Sequence, residues 1–148
     1  MWKITLIVML LVVSSAPLAS ASPTYLRVDE VTMWLEGYNA TLELKYELNF
    51  LAKTYVLLFG AKTIEPEIRK FLPFEEIKIL KLNDKRALVR VINITRSVDE
   101  KSDRIYYLYQ PYYFSYPIKR IVIVYPDGTR LELFNRDSTP PKIATIYK

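Results

Sequence analysis

The sequence predicts an α+β domain, mainly an antiparallel, sandwich-like β-sheet, with a short helical insertion around residues 50–72. Residues 38–48 alternate apolar and polar side chains at the two-residue period of a half-buried strand. Residues 50–72 break that period. Hairpin-type turn residues then recur between apolar runs through the second half of the chain.

Residues 25–49 read as two strands joined at Glu36-Gly37-Tyr38. In the second, Tyr38, Ala40, Leu42, Leu44, Tyr46 and Leu48 share one face, while Asn39, Thr41, Glu43, Lys45 and Glu47 share the other. The first strand changes phase between Leu26 and Val28 on one side and Val31, Met33 and Leu35 on the other. One extra residue is needed to keep all five inward, so a bulge is expected near Asp29-Glu30.

Phe50 to Phe59 is apolar nearly all round and stops at Gly60, a residue suited to the left-handed conformation that closes helices. Taken alone, Tyr55 to Phe59 also fits a buried strand. A second helix is expected to start with Thr63 as its cap, carry Pro66 in its first turn and end before Pro73. Glu65 and Glu67 then lie near its positive end and Arg69 and Lys70 near its negative end, with Glu65 and Arg69 spaced four apart.

Strands return with Ile77 to Leu82 and Ala87 to Thr95, joined across Asn83-Asp84-Lys85-Arg86. Ser97 to Asp103 reads as a charged loop. Arg104 to Tyr109, a break at Gln110-Pro111, and Tyr112 to Tyr116 lead to a hairpin from Ile118 to Asn135 that turns on Pro126-Asp127-Gly128. Ile121 to Val124 is apolar on both faces, so it is expected in mid-sheet with both faces covered, one of them by the helical region. Beyond Pro140-Pro141, Ile143 to Tyr147 is expected as a last edge strand, with residues 139–148 dispensable for folding.

The N-terminus has the layout of an export signal: Lys3, a mostly apolar run from Ile4 to Val13, and the small residues Ala19-Ser20-Ala21. A signal peptide over residues 1–21 and a single β-rich domain over residues 22–148 are expected, secreted or associated with the cell envelope. The run is shorter than the roughly 20 apolar residues that span a bilayer. A leader that stays attached would act as a membrane tether.

The chain has no histidine and no cysteine. That excludes imidazole triads, thiolate nucleophiles, and zinc or copper sites built on those ligands. It also means that the core carries the fold without disulfide support. A hydrophobic share of 51% and an aromatic share of 14% suit that task. One Gln, three Gly and many Ile, Tyr, Lys and Glu resemble the composition of proteins from hot environments. The net charge of +5 is mild and argues against nucleic acid as a partner.

Oxygen chemistry remains. Asp99, Glu100, Ser102 and Asp103 cluster in sequence but lack the spacing and glycine of a calcium loop, so a solvated segment is expected and no metal or cofactor. The adjacent carboxylates of Glu75-Glu76 and of Asp29-Glu30 point to opposite faces if extended, so neither pair flanks one bond. None of Ser97, Ser102, Ser115 and Ser138 has the setting of an activated nucleophile. No catalytic residue and no enzymatic activity are expected.

Seven aromatics fall between Tyr106 and Tyr116. Tyr107, Tyr109, Tyr112 and Tyr113 are candidate binding residues, because tyrosine offers a flat ring for stacking and a hydroxyl for water. The competing reading is ordinary strand packing. Asn39-Ala40-Thr41 and Asn93-Ile94-Thr95 match the glycan acceptor pattern, making Asn39 and Asn93 candidate glycosylation sites; Asn39 is expected to be accessible and Asn93 structural. These observations fit an exported, non-catalytic structural or interaction domain that meets a protein or glycan partner in the envelope. The alternative is a module that binds a ligand on an aromatic surface.

Overall fold

The computed structural model describes residues 25–101 and 103–147; the expected leader, residues 1–21, lies outside the described residues. Strand β1 (Leu26–Glu36) and strand β2 (Asn39–Leu48) form an antiparallel hairpin whose register slips between Val28 and Glu30, the position of the expected bulge. Asp29, the extra residue, pairs with Arg27 at 3.1 Å and with Lys119 at 3.2 Å. The Val28 N–H, ahead of the point where β1 begins to pair with β7 at Glu30, donates to the Tyr116 hydroxyl at 2.8 Å. Leu26, Val28, Val31, Met33 and Leu35 are consequently all buried, as are the five alternate residues from Ala40 to Leu48. The two-residue turn needs Gly37, whose φ is +80°.

Helix α1 (Phe50–Phe59), a 3₁₀ turn (Ala61–Ile64) and helix α2 (Glu65–Phe71) form the insertion. Thr63 does not cap α2. The preceding 3₁₀ turn places Ile64 at that position, Pro66 lies in the first turn, and the Thr63 hydroxyl donates instead to the Gly60 carbonyl at 2.9 Å. The Glu65–Arg69 pair forms at 2.9 Å.

Strand β3 (Ile77–Leu82) and strand β4 (Arg86–Val91) make the next hairpin, with the Asn83 side chain accepting from the N–H groups of Lys85 and Arg86. The strand expected to reach Thr95 stops at Val91. Asn93 adopts φ +56° and the Ile94 N–H donates to the Tyr38 carbonyl, which turns the chain away from the sheet. Strand β5 (Arg96–Lys101) then occupies most of the expected charged loop. Its backbone pairs with strand β6 (Arg104–Tyr109), so sheet hydrogen bonding outweighs the low strand preference of its charged residues.

Strand β7 (Tyr113–Val124) runs unbroken through the expected gap at Pro117, which lies in an irregular stretch of its pairing with strand β8 (Arg130–Ser138). Their turn closes with the Gly128 N–H on the Tyr125 carbonyl at 2.9 Å. Strand β9 (Lys142–Tyr147) pairs with β6 over six positions.

The large sheet has the order β3-β4-β2-β1-β7-β8 and the small sheet β5-β6-β9. Among the described residues every pairing is antiparallel except that of β1 with β7, which makes the large sheet mixed. Neither sheet closes into a barrel in this order. One face of the large sheet carries the core, covered by Ile64, Ile68 and Phe71 of the insertion. Phe71 stacks on Phe114 with ring centroids 5.4 Å apart. The opposite face is wet. Lys45, Glu30, Arg120, Glu132 and Arg130 form a chain of ion pairs of 3.1 to 3.5 Å across four adjacent strands. Val122 lies on that face between its register partners Thr32 and Glu132 and is buried outside the main core, whereas Arg120 and Val124 on the same face are half-buried, so the expected cover over both faces of β7 is met on the core face and only at Val122 on the other.

Candidate functional site: an apolar helix beside a cationic groove

Helix α1 begins because the Asn49 side chain accepts from the Ala52 N–H at 2.8 Å, the preferred N-cap geometry. It ends because Gly60 takes φ +91° with ψ 167°, a combination open to glycine, and donates its N–H to the Val56 carbonyl at 2.9 Å. Only Ala52 of the helix is buried, with Val56 half-buried against the core. At 3.6 residues per turn, Phe50, Thr54, Leu57 and Leu58 face directly away from those two.

Most of the helix surface that the core leaves uncovered, outward face and flanks together, is apolar. Phe50 and Leu57 are 85% and 84% exposed, Leu58 and Phe59 67% each, and Tyr55 and Leu51 50% and 45%. A helix hydrophobic on all sides is normally enclosed. Here the exposed patch is on the order of several hundred Å², the size at which such surfaces mark contact sites. Tyr55 and Phe59 pack ring to ring at 5.9 Å.

Lys53, on the flank of α1, also lines a groove of about 640 Å³ with Lys45, Lys85 and Arg86, opposite Glu47 and Asp84. Lys45 is paired with Glu30 at 3.1 Å and Arg86 with Glu43 at 4.0 Å. Lys53 and Lys85 form no ion pair with a described residue. Tyr46 also lines the groove, and its one hydroxyl proton is shared between the carbonyls of Asn83 and Arg86. Burial, aided by the Asp84 carboxylate, pushes the Tyr46 hydroxyl well above its ordinary range, so it stays neutral.

The candidate tyrosines do not share one surface. Tyr107 is buried, edge-on to Tyr38 at 5.2 Å and against Gly37. Tyr109 is 1% exposed. Tyr112 is half-buried, and its hydroxyl donates to the Ile94 carbonyl at 2.6 Å. Tyr113 alone of the four is exposed. The Tyr112 ring packs on Phe74 at 5.1 Å, and both line a smaller cleft of about 360 Å³ with Glu75, Glu76 and Asn93.

The sequons lie side by side. Asn39 is half-buried and its side-chain oxygen accepts from the Asn93 N–H at 3.3 Å, whereas the Asn93 side chain is exposed. Among the described residues no group of three acidic side chains is placed to hold a metal ion. The side chains of Asp99, Glu100 and Ser102 lie outside the described residues. Sequence reading missed the surface of α1, because an apolar run announces burial whether or not anything covers it. Asn49 immediately before that run was the one available signal for where the helix starts. No protein-family model, no curated protein and no solved structure matches the chain.

Proposed function

We propose that the chain is an exported, non-catalytic structural or interaction domain of the cell envelope or exterior, and that α1 is its contact element. The observation that carries this reading is the set of six large apolar side chains displayed on one ten-residue helix. The proposed body behind that helix is sandwich-like, with the small sheet set against one end of the large sheet through Tyr107 and Tyr109. The absence of imidazole and thiol from the sequence supports a role in contact rather than conversion.

The test is the double variant Leu57→Asp, Leu58→Asp. Both side chains are solvent-facing, so its melting temperature should match the wild type while its association with the envelope fraction falls. Unfolding of that variant would make α1 a packing element and remove the reading. Recovery of the wild-type chain, unprocessed and soluble, from the cytosol would remove export.

The second reading, an aromatic site for a glycan or protein ligand, is favoured by the cleft in which Phe74 and Tyr112 meet Glu75, Glu76 and Asn93. Rings beside carboxylates suit a sugar's apolar face and its hydroxyls. A glycan array with wild type and Glu75→Ala, Glu76→Ala tests it: both residues are exposed, so a binder loses signal and keeps its fold.

A further inference from the structure

We infer that the partner of α1 is an anionic lipid bilayer, on whose surface the helix lies with Phe50, Leu57 and Leu58 in the interface; this rests on α1 being the contact element.

Three observations argue for a bilayer and for how the helix sits on it. The first is length. Ten residues of α-helix extend about 15 Å, half of a hydrocarbon core, so α1 lies on a membrane rather than crossing it. No described helix is long and apolar enough to cross.

The second is charge. α1 carries no acidic residue; its own charge is Lys53, and Lys62 follows in the 3₁₀ turn. The groove at its flank adds Lys85, which like Lys53 forms no ion pair with a described residue, whereas Lys45 and Arg86 there are paired with Glu30 and Glu43. An apolar face bordered by lysines whose long stems reach outward is the pattern of an interfacial helix on anionic headgroups. Each such lysine adds attraction that falls off within a Debye length.

The third is where the chain enters the fold. The Tyr25 carbonyl accepts from the Asn49 N–H at 3.0 Å, and Asn49 caps α1. The 24 residues before Tyr25, which include the apolar run from Ile4 to Val13, therefore join the domain beside this helix. A chain held to, or delivered at, a membrane through that segment carries this end of the domain, α1 included, as the end joined to it.

The chain has no cysteine, so a single introduced one takes a label at one place. Full-length Leu58→Cys and Leu80→Cys, each carrying an environment-sensitive fluorophore, are mixed with phosphatidylglycerol vesicles, with phosphatidylcholine vesicles, and with vesicles containing a lipid-borne quencher. Leu80 is also exposed, but on β3.

Binding to the anionic vesicles should shift the position-58 label to the blue and make it accessible to the lipid quencher, leaving the position-80 label in water. Leu57→Asp in the Leu58→Cys background should weaken that signal at least about tenfold, the loss expected for one buried leucine. High salt should weaken it too. A position-58 label that stays in water while the protein cosediments with vesicles overturns the bilayer as partner and leaves α1 free to meet a protein. A blue-shifted label without vesicles, with the chain eluting as a dimer, overturns it in favour of a second copy. Failure of the contact reading itself has a different signature: Leu57→Asp, Leu58→Asp unfolds the domain.

Discussion

The Tyr109 hydroxyl engages both backbone polar groups of Gly37, accepting from its N–H at 3.2 Å and donating to its carbonyl at 3.0 Å. Tyr109 belongs to the small sheet and Gly37 to the first turn of the large one, so this pair ties the two together. Burial pushes the Tyr109 hydroxyl far above its ordinary range, partly offset by its bond to Gly37. Its proton is therefore held where the carbonyl needs it.

Tyr109→Phe leaves the Gly37 N–H and carbonyl unpaired in a buried site. A loss of about 1–3 kcal/mol is expected, seen as a fall of several degrees in melting temperature by circular dichroism. Gly37→Ala should cost at least as much. Its Cβ would sit 3.0 Å from the Tyr107 ring, and the position requires φ +80°.

High pH should unfold the domain through its buried tyrosines. Burial, with a smaller contribution from Tyr125, pushes Tyr112 up to about 12, and Tyr46 moves in the same direction. In the unfolded chain these hydroxyls ionise near 10.0. The folded state therefore holds protons that the unfolded state has released. Stability is level below about pH 10 and falls as pH rises through the folded values. Melting temperatures between pH 8 and 12 should show that decline. Tyr112→Phe should start lower, having lost its bond to Ile94, and fall less steeply.

Glu30 bridges Lys45 and Arg120 at the centre of the outer ion-pair chain. Isolated exposed pairs contribute little at room temperature, whereas networks contribute more as the desolvation cost falls on heating. Glu30→Gln should therefore change denaturant stability at 25 °C by no more than about 1 kcal/mol and lower the melting temperature by a few degrees. Concentrated salt should narrow that difference.

What was legible in the sequence was local. The bulge near Asp29, the turns at Gly37, Asn83 and Gly128, and the inward set from Ala40 to Leu48 follow from turn chemistry and a two-residue period acting over a few positions. Pairings between distant segments were not legible. Nothing in residues 30–34 names residues 120–124 as a parallel partner, and nothing in Arg96–Lys101 announces a strand until β6 supplies its hydrogen bonds. The tyrosines between 106 and 116 show the same limit. Their alternation fits a strand, but which rings face inward depends on where the small sheet meets Gly37. The exposure of α1 had no local signature at all.

The C-terminal segment is where contacts in the structure argue most directly against an expectation. Residues 139–148 look detachable behind two prolines, yet Thr139 is buried and makes two bonds to Tyr112: its N–H donates to the Tyr112 carbonyl at 3.0 Å, and its hydroxyl accepts from the Tyr112 N–H at 2.9 Å. Lys142 places its ammonium 4.0 Å above the Tyr125 ring, and Ala144 is fully buried in the core. β9 is also the second partner of β6. Without it, β6 keeps only β5, and a two-stranded ribbon is marginal in water. Tyr107 and Tyr109 would then be held by a sheet that no longer holds itself. Truncation after Ser138 should cost on the order of 3–5 kcal/mol, a large part of the net stability of a domain this size. Limited proteolysis of the truncated chain should cut within Arg104–Tyr109 before it cuts β1 or β2. A truncated chain with the melting temperature and cleavage pattern of the intact one would show that the small sheet stands without β9.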